Sequence, residues 1–268
     1  MIINHNINAM NSHRNLAFNN VQQGKSSEKL SSGYRINRAA DDAAGLSISE
    51  KMRAQIKGMN QGMRNAQDGI SMVQAAEGAM NEVSDMLTRM KELTVQASNG
   101  TYNATDIAAM DAEYQALNTA ITDIAKNTQF NGITILDGSA NTLTIQTGGN
   151  AADQVGIDFS KANISTLTFG GLTDNASGVT EGGVVDKAIE TVNEARSALG
   201  AYQNQLEHVY NNVSVNSENL QAAESRIRDT DMAAEMMSYT KFNILQQAST
   251  AMLAQANQAP QGVLQLLR

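Results

Sequence analysis

A mainly α fold is predicted, an elongated antiparallel helical bundle or coiled coil with a small β-hairpin region, and three observations predict it. The 268-residue chain is 4% aromatic, with no Trp, one Pro and fourteen Met, which suits helices packed through Ala, Leu, Ile and Met. A heptad seam runs unbroken from Val185 through Val192, Leu199, Leu206, Val213 and Leu220 to Ile227. Turn-forming sequence crowds one central stretch, at Asn131-Gly132, Asp137-Gly138 and the Gly-rich residues 170–183.

The first element is a terminal helix. Ile3, Ile7, Met10, Ala17 and Val21 keep helical spacing there, interrupted by Arg14. Asp41 or Asp42 then offers the N-cap of a second helix. Its seam reads Ile56, Met59, Met63, Ala66, Ile70, Val73, Ala76, Met80, Val83, Leu87, Met90, Thr94 and Ala97. Two successive steps of three, from Ile70 to Ala76, form a stammer that overwinds a supercoil locally. Asn99-Gly100 stops this helix, which from Asp42 to Ser98 would measure roughly 85 Å.

Ile107, Met110, Tyr114, Leu117, Ile121 and Ile124 predict a third helix. "TQFNGITILDGS", "NTLTIQTGG" and "QVGIDF" read as short strands and turns, and residues 170–183 as a polar connection. The long seam follows. Three residues beyond its heptad positions come Ala188, Ala195, Tyr202, Val209, Asn216 and Ala223, of which Asn216 alone is polar. A buried Asn at such a position costs stability and fixes register.

The last stripe is Phe242, Leu245, Ser249, Met252, Ala256, Ala259, Val263 and Leu266, with Pro260 inside it predicting a kink or a fresh start. Ile244, Leu253, Leu264 and Leu267 lie off the stripe. A helix apolar on several sides is normally packed on several sides. Both ends are therefore expected to be weakly ordered alone and to form a second coiled-coil domain when neighbours surround them. Docking onto the chain's own body is the alternative.

Charge and chemistry exclude much. The net charge of −8 argues against nucleic acid as a partner. Residues 1–40 nevertheless carry +4 and residues 232–268 carry +1, either as solvated faces or as interaction surfaces. No apolar run is long enough for a secretory signal or a membrane span. His5, His13 and His208 are the only histidines and Cys is absent, so no metal site, cofactor or catalytic triad is expected. No phosphate-binding loop follows Gly148-Gly149 or Gly182-Gly183. Arg35, Arg38, Asp41 and Asp42 could hold a ligand, although such a cluster is more often a salt-bridged corner. The five Asn-x-Ser/Thr triplets read as chance in a chain this rich in those residues.

"EKLSSGYRINRAADDAAGLSISEKMRAQIKG", residues 28–58, closely resembles the N-terminal signature of bacterial flagellins. "NLQAAESRIRDTDMAAEMMSYTKFNILQQASTAMLAQANQAPQGVLQLLR", residues 219–268, is similar to their C-terminal signature. "QDGISMVQAAEGAMNEVSDMLTRMKELTVQASNG" and "TQFNGITILDG" match between them, leaving residues 140–183 outside the likeness. It implies a short, core-only flagellin: a non-enzymatic subunit that polymerises into the filament used for swimming. The segments implied are an N-terminal core helix at 1–33, a connection at 34–44 and rod helices at 45–130. A β-hairpin and loop region at 131–183, a rod helix at 184–229 and a C-terminal core helix at 230–268 complete them.

The resemblance implies that Ile3, Ile7, Met10, Val21, Phe242, Leu245, Met252, Val263 and Leu266 are buried on polymerisation. Arg35, Arg38, Asp41 and Asp42 would form an interdomain or intersubunit corner. Family members bind the vertebrate flagellin-sensing Toll-like receptor, and the matching positions are Arg89, Leu93 and Glu113, with Glu92 and Gln96 nearby. On the seam numbering Arg89 and Leu93 fall outside the packed positions and are expected to face outward. The implied partners are other copies of the chain, an export chaperone on the C-terminal segment, and the filament cap and hook–filament junction proteins. The implied location is the extracellular flagellum, reached without a cleaved signal peptide.

Tyr34 departs from the family's usual Leu and Phe242 from its usual Asn, while Met10 and His13 alter the first segment. A hook–filament junction protein is the nearest rival reading. A secreted enzyme on the same scaffold would need a catalytic insert, and residues 140–183 hold neither His nor Cys.

Overall fold

The computed structural model describes residues 6–139 and 142–266, with the side chains of the last helix described as far as Gln258. Among the described residues there are five α-helices: α1 (Ile7–Ser32), α2 (Ala43–Ala97), α3 (Ala104–Asn127), α4 (Asn175–Arg228) and α5 (Met232–Leu266). Between α3 and α4 lie β1 (Gln129–Phe130), β2 (Ile133–Thr134), β3 (Thr142–Gln146) and β4 (Gln154–Asp158). Contacts divide the chain into two compact units, Gln55–Glu218 on the one hand and Met1–Ala54 with Asn219–Arg268 on the other.

Helix α2 starts where its cap dictates. Asp42 Oδ1 accepts from Gly45 N at 2.8 Å, and the Asp42 carbonyl accepts from Leu46 N at 3.0 Å. It ends one residue short of Ser98, beside the expected Asn-Gly stop, after 55 residues. Within the unit Gln55–Glu218, α2 and α4 run antiparallel, tied near their two ends by Lys91 Nζ to Asp186 Oδ2 at 2.6 Å and Ser217 Oγ to Asn60 Oδ1 at 3.0 Å. Val73, Ala76, Met80, Val83, Leu87, Met90 and Ala97 of α2 face Val185, Ala188, Val192, Ala195, Leu199 and Leu206 of α4, all buried. Helix α3 adds Ile107, Met110, Tyr114 and Ile121. Its Asn103 and Asp106 form a reciprocal capping box.

Tyr114 is fully buried, and its hydroxyl donates to Glu181 Oε2 at 3.2 Å. Burial, reinforced by the nearby Glu181 carboxylate, raises the phenol's pKa above its ordinary value. The strands close the end of this core. Asn131 and Gly132 both have positive φ, 51° and 79°, the primed-turn geometry of a two-residue hairpin joining β1 to β2. In the β3–β4 hairpin, Val155 and Ile157 point inward while Gln154 and Gly156 face solvent. The turn of this hairpin seats on a glycine notch of α2. A Cβ at Gly62 would lie 2.1 Å from the Thr147 carbonyl oxygen, and one at Gly58 would lie 3.1 Å from Gly149 Cα. Asn65 Nδ2 donates to the Gln146 carbonyl at 2.8 Å and fixes the seat.

Three expectations are corrected. Asn216 is exposed and donates to Asn212 Oδ1 at 2.9 Å, while the next residue, Ser217, is buried. The reason is the mismatch between seven residues and 3.6 per turn: a straight helix drifts by about 20° per heptad. Over the heptads from Val185 that drift amounts to about one residue, so the buried polar position slides from Asn216 to Ser217. Second, α4 begins at Asn175, so most of the expected polar connection is helix. Asp174 Oδ1 takes Ser177 N at 2.7 Å, and Ser177 Oγ takes Thr173 N and Asp174 N, both at 2.9 Å. Gly178 and Gly182 are not breakers here. They let α4 approach α2 closely, and a Cβ on Gly178 would meet Ser98 Oγ at 2.8 Å. Third, α5 makes no fresh start at Pro260 but runs as one helix through it, since proline removes one ladder donor without forbidding helical φ.

Replacing Gly62 by Ala forces the hairpin turn off its seat, and the expected loss is about 1–3 kcal/mol in urea denaturation. Gly78, also in α2, has open space at its Cβ; Gly78→Ala is expected to gain about 0.5–1 kcal/mol. Equal effects of the two substitutions would mean that the notch carries no packing.

Candidate interaction surfaces

Helices α1 and α5 pair antiparallel, with Asn6 Nδ2 donating to the Ala256 carbonyl at 2.8 Å and Asn19 Nδ2 to Ser249 Oγ at 3.0 Å. The packing seam on α1 is Ala9, Ser12, Leu16, Asn19, Gln23, Ser26 and Leu30. On α5 it is Phe242, Gln246, Ser249, Leu253 and Ala256. Half of this seam is polar, and the two residues that α1 buries most completely are Asn19 (7% exposed) and Ser26 (4%). Many of the large apolar residues point away from the pair. Ile7, Met10, Phe18 and Val21 are exposed on α1, and Met232, Met236, Met237, Ile244, Leu245 and Met252 on α5.

Of the terminal residues singled out by sequence, Ile7, Met10, Val21, Leu245 and Met252 are therefore exposed, while Phe242 is half-buried with Lys241 Nζ 5.9 Å from its ring centre. Ile3 lies outside the described residues, as do the side chains of Val263 and Leu266. The expected stripe needs correction. Leu253 belongs to the inner seam, whereas Leu245 and Met252 stand outside it. A chain of alternating three- and four-residue steps fits two adjacent lines on a helix, and small polar side chains selected the inner one because they allow close approach.

The corner between α1 and α2 is built around Tyr34. Gly33, at φ 75°, terminates α1 in the left-handed conformation and returns its N–H to the Lys29 carbonyl. Tyr34 then bridges Asp229, Arg35 N donates to the Arg228 carbonyl at 2.7 Å, and Thr230 N to the Gly33 carbonyl at 3.0 Å. The Tyr34 ring carries two guanidinium groups, Arg228 at 4.9 Å and Arg53 at 5.4 Å from its centre. Arg53 also donates to the Tyr34 hydroxyl at 3.1 Å and pairs with Glu224 at 3.1 Å, and Arg228 pairs with Glu50. Below them Ile36 is buried against Gly45, where a Cβ would lie 2.8 Å from Ile36 Cδ1.

The four expected corner residues serve the backbone more than one another. Arg35 donates to the Ile227 carbonyl, and Arg38 Nε pairs with Glu28 at 2.9 Å. Asp41 Oδ2 accepts from Arg38 N and Asn37 N, and the Arg38 N–H above all holds its carboxyl below the usual range. Asp42 caps α2. They form a folded turn, and the charged cluster proper is Tyr34, Glu50, Arg53, Glu224 and Arg228. Sequence spacing offered no signal for this cluster, because its two halves lie far apart along the chain.

On α2 and α3, Arg89 forks onto Glu113, Nε to Oε1 at 2.8 Å and Nη2 to Oε2 at 3.3 Å, while its Nη1 reaches Glu92 Oε2 at 2.8 Å. Gln96 donates to the Tyr102 hydroxyl at 3.3 Å. Arg89, Glu92, Gln96 and Glu113 are exposed, but Leu93 is only 2% exposed, contrary to expectation. Helix α2 packs against two helices at this level, so its buried band is wider than a two-helix seam and takes in Leu93. The Arg89 hydrogen bonds hold the Glu113 carboxyl below its ordinary range. Among the described residues no group of three or more His, Cys, Asp or Glu could hold a metal ion, and no helix is long and apolar enough to cross a membrane.

Residues 3–141 match the bacterial flagellin N-terminal helical region and residues 183–267 the bacterial flagellin C-terminal helical region. A flagellin of Halalkalibacterium halodurans is 54% identical over 272 residues, and one of Bacillus subtilis is 48% identical over 304, with all of both chains covered in each case. The crystal structure of Bacillus cereus flagellin superposes with a TM-score of 0.52 at 35% identity, over 60% of this chain and 94% of that one.

Removing the Tyr34 ring by Tyr34→Ala is expected to cost about 1–3 kcal/mol, since two cation–π contacts go at once. Tyr34→Phe keeps both and is expected to cost under about 1 kcal/mol, read in the same urea titration. For Glu113, the folded carboxyl titrates below the unfolded one, so its contribution is complete above the ordinary Glu range and is lost as pH falls through the depressed value. A carboxyl-carbon NMR titration should place the Glu113 midpoint below that of free glutamate and return it to the ordinary range in Arg89→Gln.

Proposed function

The chain belongs to the bacterial flagellin family, and from that premise we propose that the outer apolar faces of α1 and α5 are the surfaces through which copies of it polymerise. It is a structural subunit of the flagellar filament, not an enzyme. The observation that carries the proposal is the split in the terminal pair: half of the inner seam is polar, while Ile7, Met10, Phe18, Val21, Ile244 and Met252 face out. Water against that much apolar surface is unfavourable, and covering it with neighbours supplies what the polar seam cannot.

The filament so built serves swimming. The subunit is exported to the cell exterior, its C-terminal segment held meanwhile by an export chaperone, and it meets the filament cap and the hook–filament junction proteins. The Arg35–Asp42 turn is an intersubunit corner. The exposed patch of Arg89, Glu92, Gln96 and Glu113 is the receptor-facing surface for the vertebrate flagellin-sensing Toll-like receptor, with Leu93 supporting it from within the core. Its Arg–Glu fork supports this reading, since it presents one charged group in a fixed geometry. Receptor-reporter cells given Arg89→Gln should signal several-fold less, and undiminished signalling would remove the assignment.

Val21→Glu and Met252→Glu test the polymerisation face in the full chain. Neither side chain lies in the α1–α5 seam, so helix content should be unchanged. With filament seeds and a precipitating salt, electron microscopy should show long filaments from the parent chain and none from either variant. A parent chain that stays monomeric with protease-resistant ends would overturn the proposal.

A further inference from the structure

The methionines divide by exposure in a way the fold does not require. Among those described, Met72, Met80, Met90 and Met110 are buried in the unit Gln55–Glu218. Met52, Met59, Met63 and Met86 are half-buried. The exposed ones are Met10, Met232, Met236, Met237 and Met252, and all five lie on α1 or α5. Met237 is 70% exposed, and Met236 and Met237 share a groove with Lys241 and Ile244. The chain has no Cys and no Trp, so thioethers are its principal peroxide-reactive side chains.

We infer that these five methionines form an oxidation-sensitive site that controls incorporation of the subunit: peroxide converts them to sulfoxides while the chain is free, and assembly shields them. This rests on the reading that neighbouring copies cover the outer faces of α1 and α5. The chemistry is a two-electron oxygen transfer. The thioether sulfur attacks one peroxide oxygen, an S–O bond forms as the O–O bond breaks, and water leaves, so sulfur is oxidised and peroxide reduced. A sulfoxide oxygen is a strong acceptor that water satisfies in the free subunit. Covered by an apolar neighbour, it loses those hydrogen bonds. The buried methionines meet no such fate because peroxide cannot reach them, so the unit Gln55–Glu218 keeps its core.

The test uses the full chain with hydrogen peroxide as the oxidant. Peptide mass spectrometry of the treated monomer should find sulfoxide at Met10, Met232, Met236, Met237 and Met252 while Met72, Met80, Met90 and Met110 remain thioethers. Elongation of filament seeds should fall by about tenfold or more, as expected when polar groups are buried unpaired. Methionine sulfoxide reductases of both stereospecificities should restore it. Filaments treated after assembly should gain little oxidation at the five positions.

A chain with all five changed to Leu should elongate equally before and after peroxide. If that variant fails to assemble, the reductase arm still decides. Oxidation at all five with undiminished elongation overturns the inference, as does equal oxidation in monomer and filament. Failure of the untreated parent chain to elongate seeds would instead remove the polymerisation reading beneath it.

Discussion

The zipper between α2 and α4 is the constraint on which the rest of the structure depends. Leu87, Met90 and Val83 on one helix and Val192, Ala195 and Leu199 on the other leave no room for water between them. A helix with a single apolar stripe has marginal stability alone, and its partner must match it in length and register. Helix α3 and the strands then complete the enclosure by adding Tyr114, Ile121, Ile157 and Phe159. The close approach at Gly178 and Gly182 and the glycine notch at Gly62 are secondary consequences, each placing backbone where a side chain would stand.

Much of this was legible because it is periodic. The seam from Val73 to Ala97, the cap at Asp42 and the stop at Asn99-Gly100 are local signals, and the helix between them follows from local rules. The β3 and β4 strands were visible as short runs between turn residues. What was not legible depends on three dimensions. Leu93 is buried because two helices flank α2 there, which a seam count for one partner cannot register. Gly178 reads as a breaker until α2 is known to lie against it. The exchange of Asn216 for Ser217 follows from a rotation that accumulates over heptads and is invisible within any one of them.

The interaction surfaces were legible in the same uneven way. Apolar residues in α1 and α5 announce that these helices seek cover, yet spacing alone did not say which line faces inward. Asn19 and Ser249 mark it, because their short polar side chains meet directly across the pair at 3.0 Å. At the corner, the run from Arg35 to Asp42 marked the turn, but Tyr34 with Arg53 and Arg228 is a long-range arrangement. The same departure from the family's usual Leu therefore looks minor in sequence and central in structure.

The bridge that Gly33, Tyr34 and Arg35 make to Arg228, Asp229 and Thr230 has a consequence for how the chain folds. Its side-chain bond from Arg35 to Ile227 spans 192 positions, a closure too costly for a random search to make early. Once Asn60 has met Ser217 at the far end of the α2–α4 zipper, only short stretches separate the two sides of the bridge, and closing them costs little. The bridge is thus a late folding event that consolidates what the zipper has aligned, and by the same logic it opens early on unfolding. Opening at this point undoes, in one step, the link that joins the end of α1 at Gly33 to the start of α5 at Thr230.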